Sequence, residues 1–326
     1  MKIKIYLTLL ILLLIGASFR AQAANFTVPD WLKKSCVFIM KGDKAQGTGF
    51  LVWVKDQDRT FCYLVTAKHV VQPILENPNT PLSVRFNLKE EGKAEIITFP
   101  TVAFNGTRWL QHNNQAVDLA VMPLSLFDRL EDLETGGKII SDPSDDLFAT
   151  ADWIEKYKIG PGDDVFTMGL VPYLYSKDQV NLVLTRFGKI SLLPNEEIVL
   201  PGGKQKAYFI DSQAFGGNSG GPVFVLIERN EAGKMIAGWR FALLGVVTQF
   251  VPSPLRLKEV QLQETPSNKK IQLIENTGIT KVIPVDYLMD ILFSEEQKKF
   301  RKKVADNSRK AAETQKVDKG NISTNR

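Results

Sequence analysis

Three residue types in this chain can supply a nucleophile, its base and an orienting acid. The nucleophile is Ser219, set in Gly216-Gly217-Asn218-Ser219-Gly220-Gly221-Pro222-Val223-Phe224. Glycines around a hydroxyl allow φ > 0 and close approach by a second molecule. Such a turn lifts Ser219 and aims main-chain N–H groups at whatever the hydroxyl attacks, which suits acyl transfer. A Gly-rich hairpin carrying a surface serine has the same local pattern, so the rest of the chain has to decide.

A serine nucleophile needs a base, usually histidine, and a carboxylate to orient it. The chain has 2 histidines. His69 follows Leu64-Val65-Thr66-Ala67-Lys68, the end of an apolar strand, which places it at an element terminus near a core. His112 lies in Gln111-His112-Asn113-Asn114-Gln115 and reads as a surface residue. Asp118 stands inside Ala116-Val117-Asp118-Leu119-Ala120-Val121-Met122, where a carboxylate is desolvated and needs a partner. The G-x-S-x-G elbow of α/β-hydrolases also fits residues 217–221, but that fold requires a histidine after the serine. None follows Ser219. The order here is His69, Asp118, Ser219, that of the chymotrypsin template.

The chain resembles the chymotrypsin-fold (trypsin-like) serine proteases, and among them the bacterial exported branch that includes the HtrA proteases. The resemblance is carried by Gly47-Thr48-Gly49-Phe50-Leu51-Val52, Thr66-Ala67-Lys68-His69-Val70, Asp118-Leu119-Ala120-Val121 and Gly217-Asn218-Ser219-Gly220-Gly221-Pro222-Val223. It covers roughly residues 34–292. It implies an all-β fold of two six-stranded antiparallel β-barrels with the site in the cleft between them. It further implies that Ser219 is the nucleophile, His69 the general base and Asp118 its orienter. The N–H groups of Gly217 and Ser219 would form the oxyanion hole. Thr248 falls where the family has Ser or Thr beside the catalytic Asp. The strand through Thr248, Gln249 and Phe250 would pair with substrate backbone. Gln213, six residues before Ser219, would form the base of the specificity pocket. Phe250 would narrow its mouth, favouring small P1 residues. Asn218 replaces the Asp of the digestive relatives, and no Ile-Val-Gly-Gly start is present. The reading therefore expects no activation by an inserted N-terminus, and no PDZ domain. With two Cys and two His the chain has too few of the usual ligands for a structural zinc site, and no cofactor or metal is expected.

The elements that must position these residues are mostly short strands. Ser35–Met40, Gly47–Val54 and Thr60–Thr66 form a meander. Strand-like runs recur at Leu82–Phe86, Glu95–Phe104, Val117–Met122, Asp163–Gly169, Val180–Leu193, Ala207–Ile210, Pro222–Ile227 and Phe241–Phe250. Helix is expected as one turn at Ala67–Gln72, at Ala151–Lys158 and, most clearly, at Val285–Phe300 after Pro284. The stretch 252–277 reads as a long surface loop or hairpin of the kind that often serves a site. The expected organisation is a protease domain over 24–294. Its halves lie at about 34–135 and 150–282, and a C-terminal α-helix starts at about 285.

Lys2 and Lys4, an apolar run from Ile5 to Phe19 and then Ala21-Gln22-Ala23 read as a cleaved signal peptide over residues 1–23. Export to a periplasmic or extracellular space follows. The apolar run is short of the ~20 residues of a spanning helix, so no integral membrane segment is expected after cleavage. Loss of the leader takes the formal charge from +5 to +2. The tail 295–326 carries ten Lys/Arg and five Asp/Glu, which leaves 24–294 at −3. The folded part thus offers no basic face for nucleic acid. The tail reads as a solvated, partly disordered end, with weak contact to an anionic membrane surface as the alternative. Cys36 and Cys62 fit either a disulfide in an oxidising compartment or two buried thiols. The function expected is an exported serine endopeptidase acting on peptides or proteins. The alternative is a catalytically inactive trypsin-fold module that binds them.

Overall fold

The computed structural model describes residues 26–307 and 309, apart from 43, 57–58, 73–75, 77–80, 100–108, 125–131, 136–138, 141–146, 172–179 and 255–273. The leader, most of the 252–277 stretch and 310–326 lie outside the described residues.

Two β-structures pack face to face. The first is built from β1 (Cys36–Lys41), β2 (Lys44–Asp56), β3 (Arg59–Thr66), β4 (Leu82–Asn87), β5 (Ala94–Phe99), β6 (Leu110–Gln111), β7 (Ala120–Pro123) and β8 (Ile139–Ile140). Its path runs β5-β4-β1-β2-β3-β7-β6, and β8 adds in parallel to β2. That path is open between β5 and β6 among the described residues. The second structure uses β9 (Asp164–Leu170), β10 (Val183–Leu192), β13 (Tyr208–Asp211), β14 (Pro222–Arg229), β15 (Met235–Pro254) and β16 (Ile274–Pro284). These close into a six-stranded antiparallel barrel, β10-β13-β16-β15-β14-β9. A small ribbon, β11 (Ile198–Leu200) with β12 (Gly203–Gln205), projects between β10 and β13.

Period-2 alternation divides the apolar side chains among three layers. Along β3, Cys62 and Leu64 enter the core of the first half, while Phe61, Tyr63 and Val65 face the layer between the halves. Along β14, Val223, Val225 and Ile227 fill the barrel, while Phe224 and Leu226 face that same middle layer. The middle layer is aromatic: Phe166 stacks on Phe224 at 5.1 Å, and Phe26 meets Phe166 at 5.3 Å. The two units thus share one core, which holds their adjoining strands in place.

Both cysteines are buried thiols, on different sides of the first sheet. Cys36 lies in the middle layer and Cys62 in the core of the first half, so the wall of the sheet separates the thiols. Burial pushes the Cys36 thiol up to about 12, and Cys62 also well above its ordinary range.

The helices are shorter than the sequence pattern suggests. A four-residue helix, α1 (Asp30–Lys33), leads into β1. In α2 (Ala151–Lys156), the Thr150 side chain accepts from the Trp153 N–H, and Lys158 at φ 53° ends the turn two residues beyond the helix. The long helix expected from 285 divides in two. The first part is α3 (Val285–Leu292), and a further helix, α4, covers 295–307. Ser294 makes the break, since its hydroxyl accepts from the Gln297 N–H at 3.3 Å and its carbonyl from Lys298 N–H at 3.0 Å. Ser294-Glu295-Glu296-Gln297 is a capping-box sequence, so the signal for this second start was present in the chain.

The basic tail accordingly begins as a docked helix. Gln297, Arg301 and Ala305, spaced four apart, face the body and are buried. Arg301, 2% exposed, donates to Asp56 at 2.7 Å, to the Tyr63 hydroxyl at 3.1 Å and to the Leu292 carbonyl at 2.7 Å. No helix among the described residues is long and apolar enough to cross a membrane.

Candidate active site

Ser219 sits just past a turn whose geometry its neighbours impose. The Asn218 N–H donates to the Phe215 carbonyl at 3.0 Å. Gly217 holds φ 100°, and Gly216 does not have positive φ, which is the type II pattern that demands glycine at the third position. The Asn218 side chain closes the turn from within, its Oδ1 accepting from the Phe215 N–H at 2.9 Å. Asn218 in turn packs on Gly169 of β9, where a Cβ would meet its Nδ2 at 2.4 Å. An uncharged amide thus performs locally, with the chain's own N–H, the bracing of this turn. Among the described residues, no group accepts a hydrogen bond from the N–H of Gly217 or of Ser219.

Past the serine, Gly220 holds φ 87° and donates to the Val247 carbonyl at 2.7 Å. A Cβ there would lie 2.0 Å from the Thr48 carbonyl oxygen and 2.2 Å from the Thr66 hydroxyl. Glycine is therefore required twice over, for backbone angle and for space. The neighbour that presses so closely is Thr48 of β2, which is fully buried. Its N–H donates to the Ser219 carbonyl at 2.9 Å, and its hydroxyl donates to the Gly217 carbonyl at 2.7 Å. That hydroxyl also accepts from the Leu170 N–H at 2.9 Å. Thr48 was not foreseen as a site residue; a polar β-branched residue between Gly47 and Gly49 in an apolar strand was its only mark.

His69 lies on the single 3₁₀ turn Lys68–Val70 that follows β3. Asp118 grips it at two points. Oδ1 accepts from the main-chain N–H of His69 at 2.9 Å, and Oδ2 meets Nδ1 at 2.7 Å. The second contact favours the tautomer with a proton on Nδ1, which leaves Nε2 as an acceptor. Asp118 is not within a strand, as its apolar flanks suggested. It stands two residues ahead of β7, in a segment where Val117 and Leu119 are buried in the middle layer. Burial pushes its carboxyl up. The hydrogen bonds and charge of His69, with the charge of Lys281, outweigh this and hold it below the ordinary carboxylate value.

The Ser219 hydroxyl donates to the Thr248 carbonyl at 2.9 Å in this conformation. Thr248 is fully buried, and β15 changes register there, between Val247 and Gln249. Its hydroxyl is directed at the Lys281 carbonyl at 3.4 Å, a long contact. Beyond it Gln249 is exposed and Phe250 half-buried. Both are paired to β16, and past Val247 the opposite edge of β15 has no strand partner among the described residues. Gln213 is exposed, beyond the end of β13. His112 departs from the surface reading. It packs edge-on to Tyr287 at 4.8 Å, and its Nδ1 accepts from the Asn114 N–H at 3.0 Å, away from the His69 cluster.

With these positions established, the class is plain. The profile of the trypsin-like peptidase domain matches residues 47–236, more than half of the chain, and the protein belongs to that family. The solved structures it resembles include the MamO protease domain from Magnetospirillum magneticum. There the identity is 14%, the TM-score 0.40, and the match covers 79% of this chain and 96% of that one. Another is the serine protease domain of the Sesbania mosaic virus polyprotein, at 13% identity and TM-score 0.38, covering 80% and 94%. No curated protein matches the chain.

Proposed function

We propose that the protein is an exported serine endopeptidase. Membership of the peptidase family supports peptide or protein as the substrate. The observation that carries the mechanism is the two-point hold of Asp118 on His69, on a turn that starts beside the serine segment, where a Cβ on Gly220 would lie 3.1 Å from the Ala67 nitrogen. In this reading Nε2 of His69 takes the Ser219 proton as Oγ bonds to the scissile carbonyl carbon. The carbonyl π electrons move to oxygen, and the resulting oxyanion accepts from the N–H groups of Gly217 and Ser219. The imidazolium returns its proton to the leaving amine as the C–N bond breaks. Water then releases the acyl group by the same steps in reverse order. The edge of β15 at Gln249 and Phe250, which has no strand partner among the described residues, supports binding of substrate as an added strand. The leader read at residues 1–23 supports export.

Ser219→Ala should abolish cleavage of casein or of a peptide library while leaving the fold intact. Full activity in that variant would sink the mechanism. The second reading, an inactive binding module, is favoured by one observation. The Ser219 hydroxyl donates to the Thr248 carbonyl rather than to His69. Hydrogen bonds of this kind often form only with substrate in place. A fluorophosphonate probe separates the readings, since labelling of Ser219 in folded protein requires an activated hydroxyl.

A further inference from the structure

Asp118 is carried on residues 112–119, the segment that joins β6 to β7 and lies outside their ladder. Its carboxylate still has to reach two fixed points on His69, the main-chain N–H at 2.9 Å and Nδ1 at 2.7 Å. Burial of Val117 and Leu119 seats the segment from below. Its course ahead of Asp118 is shaped by Asn114, which the mechanism above leaves unused.

Asn114 engages four groups at once. Its main-chain N–H donates to Nδ1 of His112 at 3.0 Å, and its carbonyl accepts from the Val117 N–H at 3.0 Å. Its side-chain Oδ1 accepts from the Ala116 N–H at 3.0 Å. Its Nδ2 donates to the Lys204 carbonyl at 2.9 Å, in the β11–β12 ribbon. An amide suits this place because it offers an acceptor and a donor on one short stem, and the two partners fix which end is which. A carboxylate supplies the acceptor alone and sets a second oxygen against the Lys204 carbonyl.

The ribbon closes on the same segment at two further points. Gly203, at φ 128°, comes so near that a Cβ on it would lie 3.1 Å from the Ala116 Cβ. Lys206, just past the ribbon, donates its N–H to the Tyr287 hydroxyl of α3 at 2.9 Å, and the Tyr287 ring packs on His112 at 4.8 Å. Asn114, Lys204, Lys206, Tyr287 and His112 therefore form a closed circuit of contacts between the two halves. A separate tie, from the Lys68 ammonium to the Gln115 carbonyl at 2.7 Å, is exposed, so water competes for both groups.

We propose that Asn114 is a positioning residue of this site: it locks the backbone of Ala116 and Val117 against the β11–β12 ribbon and so sets where the Asp118 carboxylate meets His69. Two bonds from one carboxylate to one residue tolerate little displacement, and a shift of the backbone just ahead of Asp118 lengthens both. The consequence for catalysis rests on the function proposed above; the geometry of Asp118 on His69 does not.

The test has two readouts. The first is the NMR signal of the Nδ1 proton of His69, in the full chain with ¹⁵N-labelled histidine, which a short bond to a carboxylate places far downfield. His112 accepts through its Nδ1, so its ring supplies no second Nδ1 proton. In Asn114→Ala the His69 signal should move upfield and broaden. Asn114→Asp keeps the acceptor for Ala116 and loses the donor to Lys204, and should move the signal the same way by less. The second readout is kinetic. On a cleaved peptide kcat should fall by about 10–100-fold in Asn114→Ala with KM little changed, and Asn114→Asp should lie between that variant and wild type. Urea unfolding reports that each variant is folded; if Asn114→Ala does not fold, Asn114→Asp, with the inner turn kept, carries the test. An inactive wild type would overturn the peptidase reading while the His69 signal still judges Asn114. A lower urea midpoint with an unchanged His69 signal would mean that Asn114 only ties the loop, and would overturn the proposal. An Asn114→Asp signal identical to wild type would overturn it as well.

Discussion

Thr48 and Gly217, 169 residues apart in the chain, are joined by a 2.7 Å hydrogen bond from hydroxyl to carbonyl. The bond crosses from the first half of the molecule to the turn that presents Ser219. It fixes the Gly217 carbonyl inward, toward β2. The same hydroxyl accepts from Leu170 at the end of β9, so one side chain ties β2, β9 and the turn together.

Thr48→Val preserves shape and removes that hydroxyl. The Gly217 carbonyl and the Leu170 N–H are then left buried without it, at a cost of about 1–3 kcal/mol. Urea denaturation should show a lower midpoint with an unchanged slope. On a cleaved peptide kcat should fall more than KM rises, because the turn loosens where charge develops. A variant with wild-type kcat and midpoint would show that the turn is held by its other bonds alone.

The glycines around Ser219 differ in what they tolerate. Gly220→Ala sets a Cβ against the Thr48 carbonyl at φ 87° and should cost on the order of 4 kcal/mol, read as loss of soluble folded protein. Gly216→Ala meets nothing within 4 Å and should leave the thermal midpoint close to wild type. Equal effects at the two positions would contradict the geometry described.

Asp118 carries a pH dependence whose sign follows from its depressed carboxyl value. The group binds a proton more readily unfolded than folded. Its contribution to stability is therefore present above the unfolded value near about pH 4, and is lost as pH falls through the lower folded value. The gap in urea midpoint between wild type and Asp118→Asn should be wide at about pH 5 and close by about pH 2. Asp118→Asn should also lower kcat by about 10⁴, as loss of the orienting acid does in the chymotrypsin template. A gap that widens on acidification would reverse the assignment.

Arg301 is the bolt of α4. Arg301→Met keeps the length of the side chain and removes its bonds to Asp56, Tyr63 and Leu292. A loss of about 1–3 kcal/mol is expected, since Asp56 is partly able to rehydrate. Limited proteolysis should then cut within 295–307 at concentrations that leave wild type whole. Unchanged resistance would mean that Gln297 and Ala305 suffice to dock the helix.

Much of this site is legible in one dimension because its chemistry needs rare residues in a set order. With 2 histidines and none after Ser219, the chain order alone removed one hydrolase fold and selected another. The meander and the strand series were readable because alternating apolar runs broke at turn residues. Other features were not readable locally. The run around Asp118 looks like strand because Val117 and Leu119 are buried, yet they are buried by packing between halves and not by a ladder. The helix from 285 was read through Ser294 because an apolar face continues past it, while the capping box that restarts the helix is a four-residue signal.

The sequence by itself singled out Ser219, His69 and Asp118, the glycine turn and the β-rich plan, since each depends on residue type, order or local periodicity. Only the tertiary structure decided the rest. It made Thr48 the clamp on Gly217, set Cys36 and Cys62 on two sides of a sheet, and docked Arg301 of α4 on Asp56 and Tyr63. Each of these unites residues distant in the chain, and such a contact exists only once two sheets share a core.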